Sequence, residues 1–165
     1  MKLSNKKIVL RPLKLEDAYE VFLLIDDSRK QLTEFLPWAK DIYDVASEQK
    51  ALKKNLADAK ILMFVIEVNQ KIVGLIDLHE LSFKNKTSQI GYFLGTPYTG
   101  YGYMSQSVKL LEEYAFKTLK LNTLKILTAK DNNKSQAVAL RCAYVKQQET
   151  SKHYIFIKSL VANSH

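Results

Sequence analysis

A loop with two closely spaced glycines separates a strand-like run from a helix-like run in this sequence of 165 residues. The run Thr87–Leu94 is rich in β-branched and aromatic residues, Gly100 and Gly102 follow it, and apolar residues then recur at helical spacing from Met104. Glycine lets several backbone N–H groups point inward, and the helix adds free N–H groups and the positive end of its dipole. The arrangement predicts a pyrophosphate-binding loop. A tight turn that needs glycine only for its positive φ explains this short pattern equally well.

Length and composition fit a single globular domain. A chain of 165 residues can bury one core but not two, and 47% hydrophobic and 25% charged residues are ordinary values. The sequence has no apolar stretch of secretory-signal or membrane-spanning length, so we expect a cytoplasmic protein. The single cysteine, Cys142, falls late in a predicted helix with no histidine near it in sequence. A buried, small apolar role is therefore favoured for Cys142 over a nucleophilic role.

The formal net charge of +8 raises the question of nucleic-acid binding. The lysines are spread along the whole chain, however, without a basic helix and without the sequence pattern of an RNA-binding sheet. This distribution favours a solvated lysine-rich surface over a specific nucleic-acid site. The charge distribution does not distinguish between two roles for the excess positive charge, which are to hold cofactor phosphates or to attract an acidic protein substrate.

Hydrophobic periodicity orders the remaining elements. Strands are predicted at Lys7–Pro12, Leu62–Val68, Ile72–Leu81, Thr87–Leu94, Lys125–Ala129, Tyr144–Glu149 and His153–Leu160. Helices are predicted from Ala18 to Ile25, from Met104 to Leu119, and at Asn133–Cys142, with a broken helical region 31–58 that Pro37 interrupts. The connection Asn69-Gln70-Lys71 suits a hairpin between two antiparallel strands.

Five blocks of sequence, in this order, resemble the GNAT-fold N-acetyltransferases of the RimJ/RimL type, which acetylate the N-termini of ribosomal proteins. They are Leu10-Arg11-Pro12-Leu13 with Glu16-Asp17, Ile90–Leu94, Tyr98–Ser105, Tyr114-Ala115-Phe116, and Asp131–Ala139. The resemblance implies an α+β (three-layer α/β) GNAT acyl-CoA N-acyltransferase fold in one domain, residues 1–165. Its sheet would be mixed, mostly antiparallel and six- to seven-stranded, with helices on both faces and a V-shaped splay between central strands.

The resemblance also implies acetyl-CoA as co-substrate and assigns it to particular residues. The pantetheine arm would lie like an added strand along Tyr92, Phe93 and Leu94, whose edge the splay leaves unpaired. The pyrophosphate would be wrapped by Thr99, Gly100, Tyr101, Gly102, Tyr103 and Met104. Asn132 would bind the pantetheine and Ser135 would lie near the thioester sulfur, although an Asn/Ser pair at this spacing is also an ordinary helix N-cap.

The chemistry requires an oxyanion donor, a base for the amine and an acid for the thiolate, but no metal. A backbone N–H near Phe93 or Leu94 is the expected oxyanion donor. Ser135 is the first candidate for the acid, with Tyr144 second because some members of the wider fold use a tyrosine. A protein α-amino group has a pKa of about 7.7–8.0, against about 10.4 for lysine, so it demands little of a base. We expect direct transfer in a ternary complex, without an acyl-enzyme.

The family pattern is weakest at the C-terminal hairpin, where a longer polar loop usually supplies an acidic base candidate. Here the hairpin is short, and the remaining candidates for the base are Glu149, the nearest carboxylate, and His79 or Glu80 near a strand end. Ala143 stands where the family usually has glycine, so that turn must avoid a positive φ or bear strain.

Three alternatives to the predicted protein N-acetyltransferase differ in how well the sequence fits them. A P-loop or Rossmann module fails on spacing, because Tyr101 and Gly102 stand where Lys and Ser/Thr are needed and Gly100-x-Gly102 lacks its third glycine. A non-catalytic RNA- or ribosome-associated protein remains open. So does acetylation of a polyamine, an aminoglycoside, an amino acid or an internal lysine. We expect segment 31–58 to form one wall of the acceptor cleft, and pairing of two chains through the C-terminal strands is left open. The residues of that segment considered for the cleft are Trp38, Tyr43, Glu34, Asp41 and Asp44.

Overall fold

The strands assemble into one mixed sheet in a computed structural model that describes residues 1–160. The strands are β1 (Leu3–Ser4), β2 (Ile8–Pro12), β3 (Leu62–Val68), β4 (Lys71–Ser82), β5 (Thr87–Leu94), β6 (Thr123–Ala129), β7 (Val145–Glu149) and β8 (His153–Ser159). The helices are α1 (Ala18–Asp27), α2 (Arg29–Phe35), α3 (Val45–Leu56), α4 (Tyr103–Lys117) and α5 (Asn133–Arg141), with short 3-10 helices at Leu15–Asp17, Pro37–Asp41 and Thr96–Tyr98.

The strand order is β1-β2-β3-β4-β5-β6-β8-β7, and every neighbouring pair is antiparallel except β5 and β6. All seven predicted strands form, which confirms the predicted α+β, mostly antiparallel sheet. The predicted count of six to seven strands is too low, because β1 adds an eighth. This strand has only two residues, Leu3 and Ser4, and is too short to produce a period-two pattern in the sequence.

The parallel pairing of β5 with β6 is short. It covers only Thr87–Gln89 against Thr123–Lys125, and beyond Gln89 no further residue pairs join the two strands among the described residues. Strand β5 continues its pairing with β4 as far as Leu94. The two central strands therefore separate into the predicted V-shaped splay, with one edge of β5 left open.

Helices cover both faces of the sheet, each over its own hydrophobic core. Residues of α1, α2 and α3 pack with Leu75 and Phe93 on one face, and residues of α4 and α5 pack with Ile76 and Ile90 on the other. Because side chains alternate along a strand, Asp77 and His79 of β4 share the face of Leu75. The α1–α3 face therefore carries polar groups at its centre, next to the splay.

Two turns show how local backbone conformation fixes the chain path. Asn69 and Gln70 connect β3 to β4 with φ of 52° and 66°, which are the two positive values of a two-residue hairpin turn. The predicted hairpin is confirmed, but Lys71 belongs to β4 rather than to the turn. At the end of α5, Ala143 has φ of 64°, so this position bears the strain that glycine would avoid, about 1–2 kcal/mol.

Candidate active site

A cavity of about 580 Å³ opens at the splay, between α3 and the central strands. Strands β4 and β5 form its floor, and β6 with the start of α5 forms the opposite side. It reaches from the α1–α3 face to the open edge of β5. The side chains and backbone that line it include Trp38, Glu48, Met63, Leu75, Asp77, His79, Gln89, Gly91, Tyr92, Phe93, Thr128, Asn132, Ser135 and His153.

The open edge of β5 offers backbone groups from alternate residues. The N–H of Gly95 donates to the carbonyl of Val73 on β4 at 2.8 Å. Because an antiparallel strand alternates its hydrogen-bonding direction, the N–H and C=O of Phe93 also point to β4, whereas those of Tyr92 and Leu94 point into the splay. Of the three residues predicted to hold pantetheine, Tyr92 and Leu94 therefore present backbone groups to the gap. The backbone of Phe93 faces β4, and its ring lies on the α1–α3 face of the sheet.

The glycine loop begins α4 with a bare backbone. Gly100 and Gly102 have φ of 89° and 79°, and Gly102 is the N-cap of α4 without any side chain capping the helix. A Cβ built on Gly100 would meet no atom within 4 Å. Tyr101 stacks on Tyr103 with ring centroids 5.5 Å apart. The positive φ values agree with a tight turn, and the free helix N-terminus with open space above it fits an anion such as a pyrophosphate.

The other residues assigned to the pyrophosphate differ in what they can offer. The hydroxyl of Thr99 donates to the carbonyl of Thr96 at 2.9 Å, which ties it into the turn. The side chain of Met104 is buried in the core on the α4 face, so only its backbone N–H can contribute. The backbone from Gly102 to Met104 is therefore the part of the loop best suited to bind phosphate.

Ser135 lies at the edge of the cavity beside Tyr92. Its Oγ is 2.9 Å from the Tyr92 hydroxyl, and this contact bridges β5 to the first turn of α5 across the splay. Burial raises the pKa of Tyr92 to about 12, so its hydroxyl stays protonated. The N–H of Ser135 donates to Asn132 Oδ1 at 3.2 Å, which makes Asn132 the helix N-cap while it also lines the cavity.

His79 is held between two acceptors. Its Nδ1 lies 2.7 Å from Asp77 Oδ1 and its Nε2 lies 3.2 Å from Gln89 Oε1. Gln89 donates its Nε2 to Glu80, so its amide oxygen is the atom that faces the ring. The hydrogen bond to the Asp77 carboxylate raises the pKa of His79, partly opposed by burial. Only the doubly protonated imidazolium can donate to both neighbours.

Asp77 was not among the predicted site residues, although the sequence carries a signal for it. Asp77 and His79 are two apart on a strand, and this spacing places both on one face. Gly91, opposite Asp77 on β5, makes the room for them. A Cβ on Gly91 would lie 3.1 Å from both Asp77 Oδ2 and His79 Cε1. The glycine is therefore a packing requirement of this polar pair.

Glu48 is a second residue that the sequence analysis missed. It lies on α3, its side chain is buried with 3% exposure, and it lines the cavity. Among residues 1–160, no side chain or backbone group hydrogen-bonds or pairs with its carboxyl group. Burial alone raises its pKa from 4.5 to about 7. The signal in the sequence is its position between Val45 and Leu52 on the apolar face of α3, where glutamate is unusual.

Three of the predicted catalytic candidates lie away from the cavity. Glu149 is exposed on β7 and pairs with Lys130 at 2.6 Å, which lowers its pKa. Tyr144 is buried in the core, and its hydroxyl donates to Glu112 Oε2 at 3.1 Å. Glu80 accepts from Gln89 but does not line the cavity. Glu149 and Tyr144 are bound to partners outside the cavity, and Glu80 lies outside the cavity lining although its partner Gln89 belongs to it. The structure therefore does not bring these three side chains into the cavity.

Segment 31–58 forms one wall of the cavity, and of the five residues considered for that wall the lining includes Trp38. Trp38 packs on Phe93 with ring centroids 5.6 Å apart and keeps 43% of its surface exposed at the mouth. Asp44 instead caps α3 by accepting from the N–H of Ser47 at 2.7 Å. The cavity lining also leaves out three other residues considered for this wall, which are Glu34, Asp41 and Tyr43.

Cys142 is buried, as predicted, and its sulfur lies 3.5 Å from the carbonyl of Ser105. Burial raises the pKa of its thiol, which disfavours the thiolate needed for a nucleophile. Over residues 1–160, no helix is long and apolar enough to cross a bilayer. In the same range, no group of three or more His, Cys, Asp or Glu side chains is placed to hold a metal ion.

Comparison with known proteins agrees with this geometry. A family model described as "Acetyltransferase (GNAT) domain" matches residues 7–145. A putative ribosomal N-acetyltransferase YdaF of Bacillus subtilis is 26% identical over 147 residues, 87% of this chain and 80% of that protein. The spermidine N(1)-acetyltransferase of Escherichia coli is 25% identical over 162 residues, 98% of this chain and 84% of that protein.

Among solved structures, the microcin C7 self-immunity acetyltransferase MccE in complex with acetyl-CoA and AMP has a TM-score of 0.85 and 25% identity. The match covers 94% of each chain. These similarities confirm the predicted fold and the predicted acetyl-CoA-dependent acetyltransferase.

Proposed function

This chain belongs to the GNAT acetyltransferase family, and from that premise we propose that it transfers an acetyl group from acetyl-CoA directly to a primary amine, the N-terminal α-amino group of a protein. The arrangement at the splay is the observation that carries the proposal. The open edge of β5 faces the splay, and the glycine loop begins α4, which packs on the sheet face opposite α1–α3. The cavity reaches the same edge from the α1–α3 side. Acetyl-CoA and the amine can thus approach the same point from opposite faces.

The chain's own residues supply the binding groups for acetyl-CoA. The backbone groups of Tyr92 and Leu94 would pair with the pantetheine amides like an added strand, and the N–H groups from Gly102 to Met104 would hold the pyrophosphate. Because the N–H of Leu94 also points into the gap, it is the better placed oxyanion donor of the two predicted. Asn132 lies at the cavity edge, where its amide N–H₂ remains available to pantetheine while its oxygen caps α5.

Ser135 is the proposed proton donor to the CoA thiolate. Its hydroxyl lies at the junction of the open edge and the cavity, and the Tyr92 hydroxyl at 2.9 Å can return a proton to it. Tyr144 is not proposed for this role, because its hydroxyl is bound to Glu112 in the core. Direct transfer is favoured because Cys142 is buried and lies outside the cavity lining.

Two observations bear on the acceptor. The similarity to a putative ribosomal N-acetyltransferase supports a protein N-terminus, and the exposed Trp38 at the cavity mouth offers an apolar surface to a peptide. The similarity to a spermidine acetyltransferase supports a small polyamine as second candidate. The cavity lining favours the first, because its acids are only Glu48 and Asp77, and Asp77 is already bound to His79. A polyamine needs several free carboxylates.

The test is an acetyl-CoA consumption screen that measures released thiol. Acceptors are peptides beginning with Ser, Ala or Met, together with free lysine, spermidine and an aminoglycoside. We expect the highest kcat/KM with a peptide. A higher kcat/KM for spermidine than for every peptide would mean that the acceptor is a polyamine and not a protein N-terminus. Thiol release with no amine, together with equal thermal stabilisation by CoA, ATP and NAD, would refute the transferase itself.

The Gly100→Val variant tests whether the glycine loop binds the pyrophosphate of acetyl-CoA. Valine is strained at a φ of 89° and would place a branched side chain in the open space above the loop. The variant should keep its helical circular dichroism and lose stabilisation by CoA. Unchanged stabilisation by CoA would place the pyrophosphate elsewhere.

A further inference from the structure

Glu48 is the one free carboxyl group that lines the cavity within the described part of the chain. We propose that the Glu48 carboxylate binds the ammonium group of the acceptor and takes its proton, the role that the shortened C-terminal hairpin leaves unfilled. This inference rests on the proposed function, since it concerns the amine of that reaction.

Burying the Glu48 carboxylate costs free energy unless a ligand pairs with it. Glu48 is 3% exposed, and it shares the cavity lining with the apolar residues Leu52, Met63 and Leu75. Burying a carboxylate without a partner is unfavourable by several kcal/mol per ion in real proteins. An acceptor ammonium entering the cavity is the counter-charge that the protein itself does not supply.

The other charged groups near α3 do not serve as the counter-charge to the Glu48 carboxylate. Those on elements packed against α3, or in its cavity apart from His79, are Glu16, Asp17, Glu20, Asp26, Asp27, Glu67, Asp77 and His153. Arg11 holds Asp17 and Glu67, and Arg29 holds Asp26. Each of these two arginines therefore already has carboxylate partners. Neither is available to neutralise Glu48.

His79 is poorly suited to act as the base, although it lines the same cavity. Its two ring nitrogens are both occupied, one by Asp77 at 2.7 Å and the other by Gln89 at 3.2 Å. A base needs a free lone pair, and each ring nitrogen of His79 is already in contact with a neighbouring side chain. His79 and Asp77 together therefore act as a fixed polar pair in the cavity floor. Of the two carboxyl groups in the cavity lining, Glu48 is the one with free acceptor oxygens.

The proton balance is simple. The ammonium gives one proton to Glu48, which passes it to solvent, and the neutral nitrogen forms the C–N bond as the oxyanion develops. When the C–S bond breaks, the nitrogen loses its second proton and the thiolate gains one through Ser135. The sum is one amide, one CoA thiol and one released proton. A carboxyl group with a pKa of about 7 suits an α-amine with a pKa of about 7.7–8.0, because proton transfer between them is nearly balanced.

The experiment compares wild type with Glu48→Gln, which keeps the shape of the side chain, and with Glu113→Gln, an exposed acid on α4, as control. We expect kcat/KM for the peptide acceptor at pH 7 to fall at least about 100-fold in Glu48→Gln. It should not change in Glu113→Gln. Thermal stabilisation by CoA should remain in all three proteins. With an acceptor whose amine is already neutral at pH 7, the deficit of Glu48→Gln should shrink, which a merely structural defect would not produce.

The outcomes separate the two proposals. Wild-type inactivity toward every amine overturns the proposed function and, with it, the role of Glu48. An active wild type with an equally active Glu48→Gln, or a deficit that is the same for protonated and neutral amines, overturns the role of Glu48 alone. A deficit confined to protonated amines, with CoA binding intact, supports it.

Discussion

Replacing Glu48 by glutamine should make the protein more stable above neutral pH. The folded protein holds the pKa of Glu48 at about 7, above the ordinary value of 4.5, because burial disfavours its charged form. The folded state therefore binds this proton more tightly than the unfolded state. Stability from this group is fully present below about pH 4.5 and is lost as the pH rises to about 7.

The expected magnitude follows from the same two pKa values. A tenfold change in proton affinity corresponds to about 1.4 kcal/mol, so the full difference amounts to about 3 kcal/mol. Water that enters the cavity screens part of it, and we expect on the order of 1–3 kcal/mol in practice. Glutamine stays neutral at every pH. The stability difference between Glu48→Gln and wild type should therefore grow between pH 4.5 and 7 and then stay constant.

Urea unfolding of both proteins at several values between pH 4.5 and pH 8 measures this difference, with Glu113→Gln as control. The exposed Glu113 pairs only with Lys117, so its variant should follow wild type at every pH. Thermal midpoints should diverge by roughly 3–8 °C at pH 8 for a chain of this size. A pH dependence identical in wild type and Glu48→Gln would refute the reasoning, because it would mean that the carboxyl group is hydrated or paired in solution.

Four further substitutions separate binding, packing and catalysis. Gly102→Ala should weaken CoA binding, because alanine is strained at a φ of 79° and this residue is the N-cap of α4. Gly95→Ala should instead cost stability, because its Cβ would clash with the side chain of Leu24. Isothermal titration and urea unfolding distinguish the two, and equal effects on CoA affinity would contradict the assignment of the loop. Cys142→Ala should keep kcat for thiol release, and a complete loss would point to an acyl-enzyme. Tyr144→Phe should lose about 1 kcal/mol of stability with its hydrogen bond in the core, at unchanged kcat; a fall in kcat alone would restore it as a proton donor.

Sequence patterns predict the parts of this structure that depend on neighbouring residues. The strand Thr87–Leu94, the hairpin at Asn69-Gln70 and the glycine loop all follow from periodicity or backbone preference within a few residues. Burial of Glu48 does not, because it depends on how α3 packs against α1 and β3. Strand alternation alone predicts that Asp77 and His79 share a face. Their position in the cavity depends on the arrangement of the whole sheet and cannot be predicted from the strand by itself.

Glu149, the base candidate from the C-terminal hairpin, lies outside the cavity at the place where the family pattern is weakest. The short C-terminal hairpin places Glu149 at the exposed edge of the sheet, beside Lys130, and the chain cannot bring it back to the splay. No local pattern within the hairpin points to a replacement on α3. That replacement can be recognised only from three-dimensional features, namely burial, the absence of a partner and a position in the cavity lining.

A base on α3 has a consequence for specificity. Segment 31–58 contributes both Trp38 at the mouth of the cavity and Glu48 in its interior, so the wall that meets the acceptor also receives its proton. The proposed acetyl-CoA side, which comprises β5, the glycine loop and α5, contains neither Trp38 nor Glu48. Substitutions in the segment should therefore change KM for the acceptor and the pH dependence of kcat together, while the affinity for CoA stays constant. Trp38→Ala is the direct test: it should raise KM for a peptide and leave stabilisation by CoA unchanged, and a parallel loss of both would mean that the two sides of the splay are not independent.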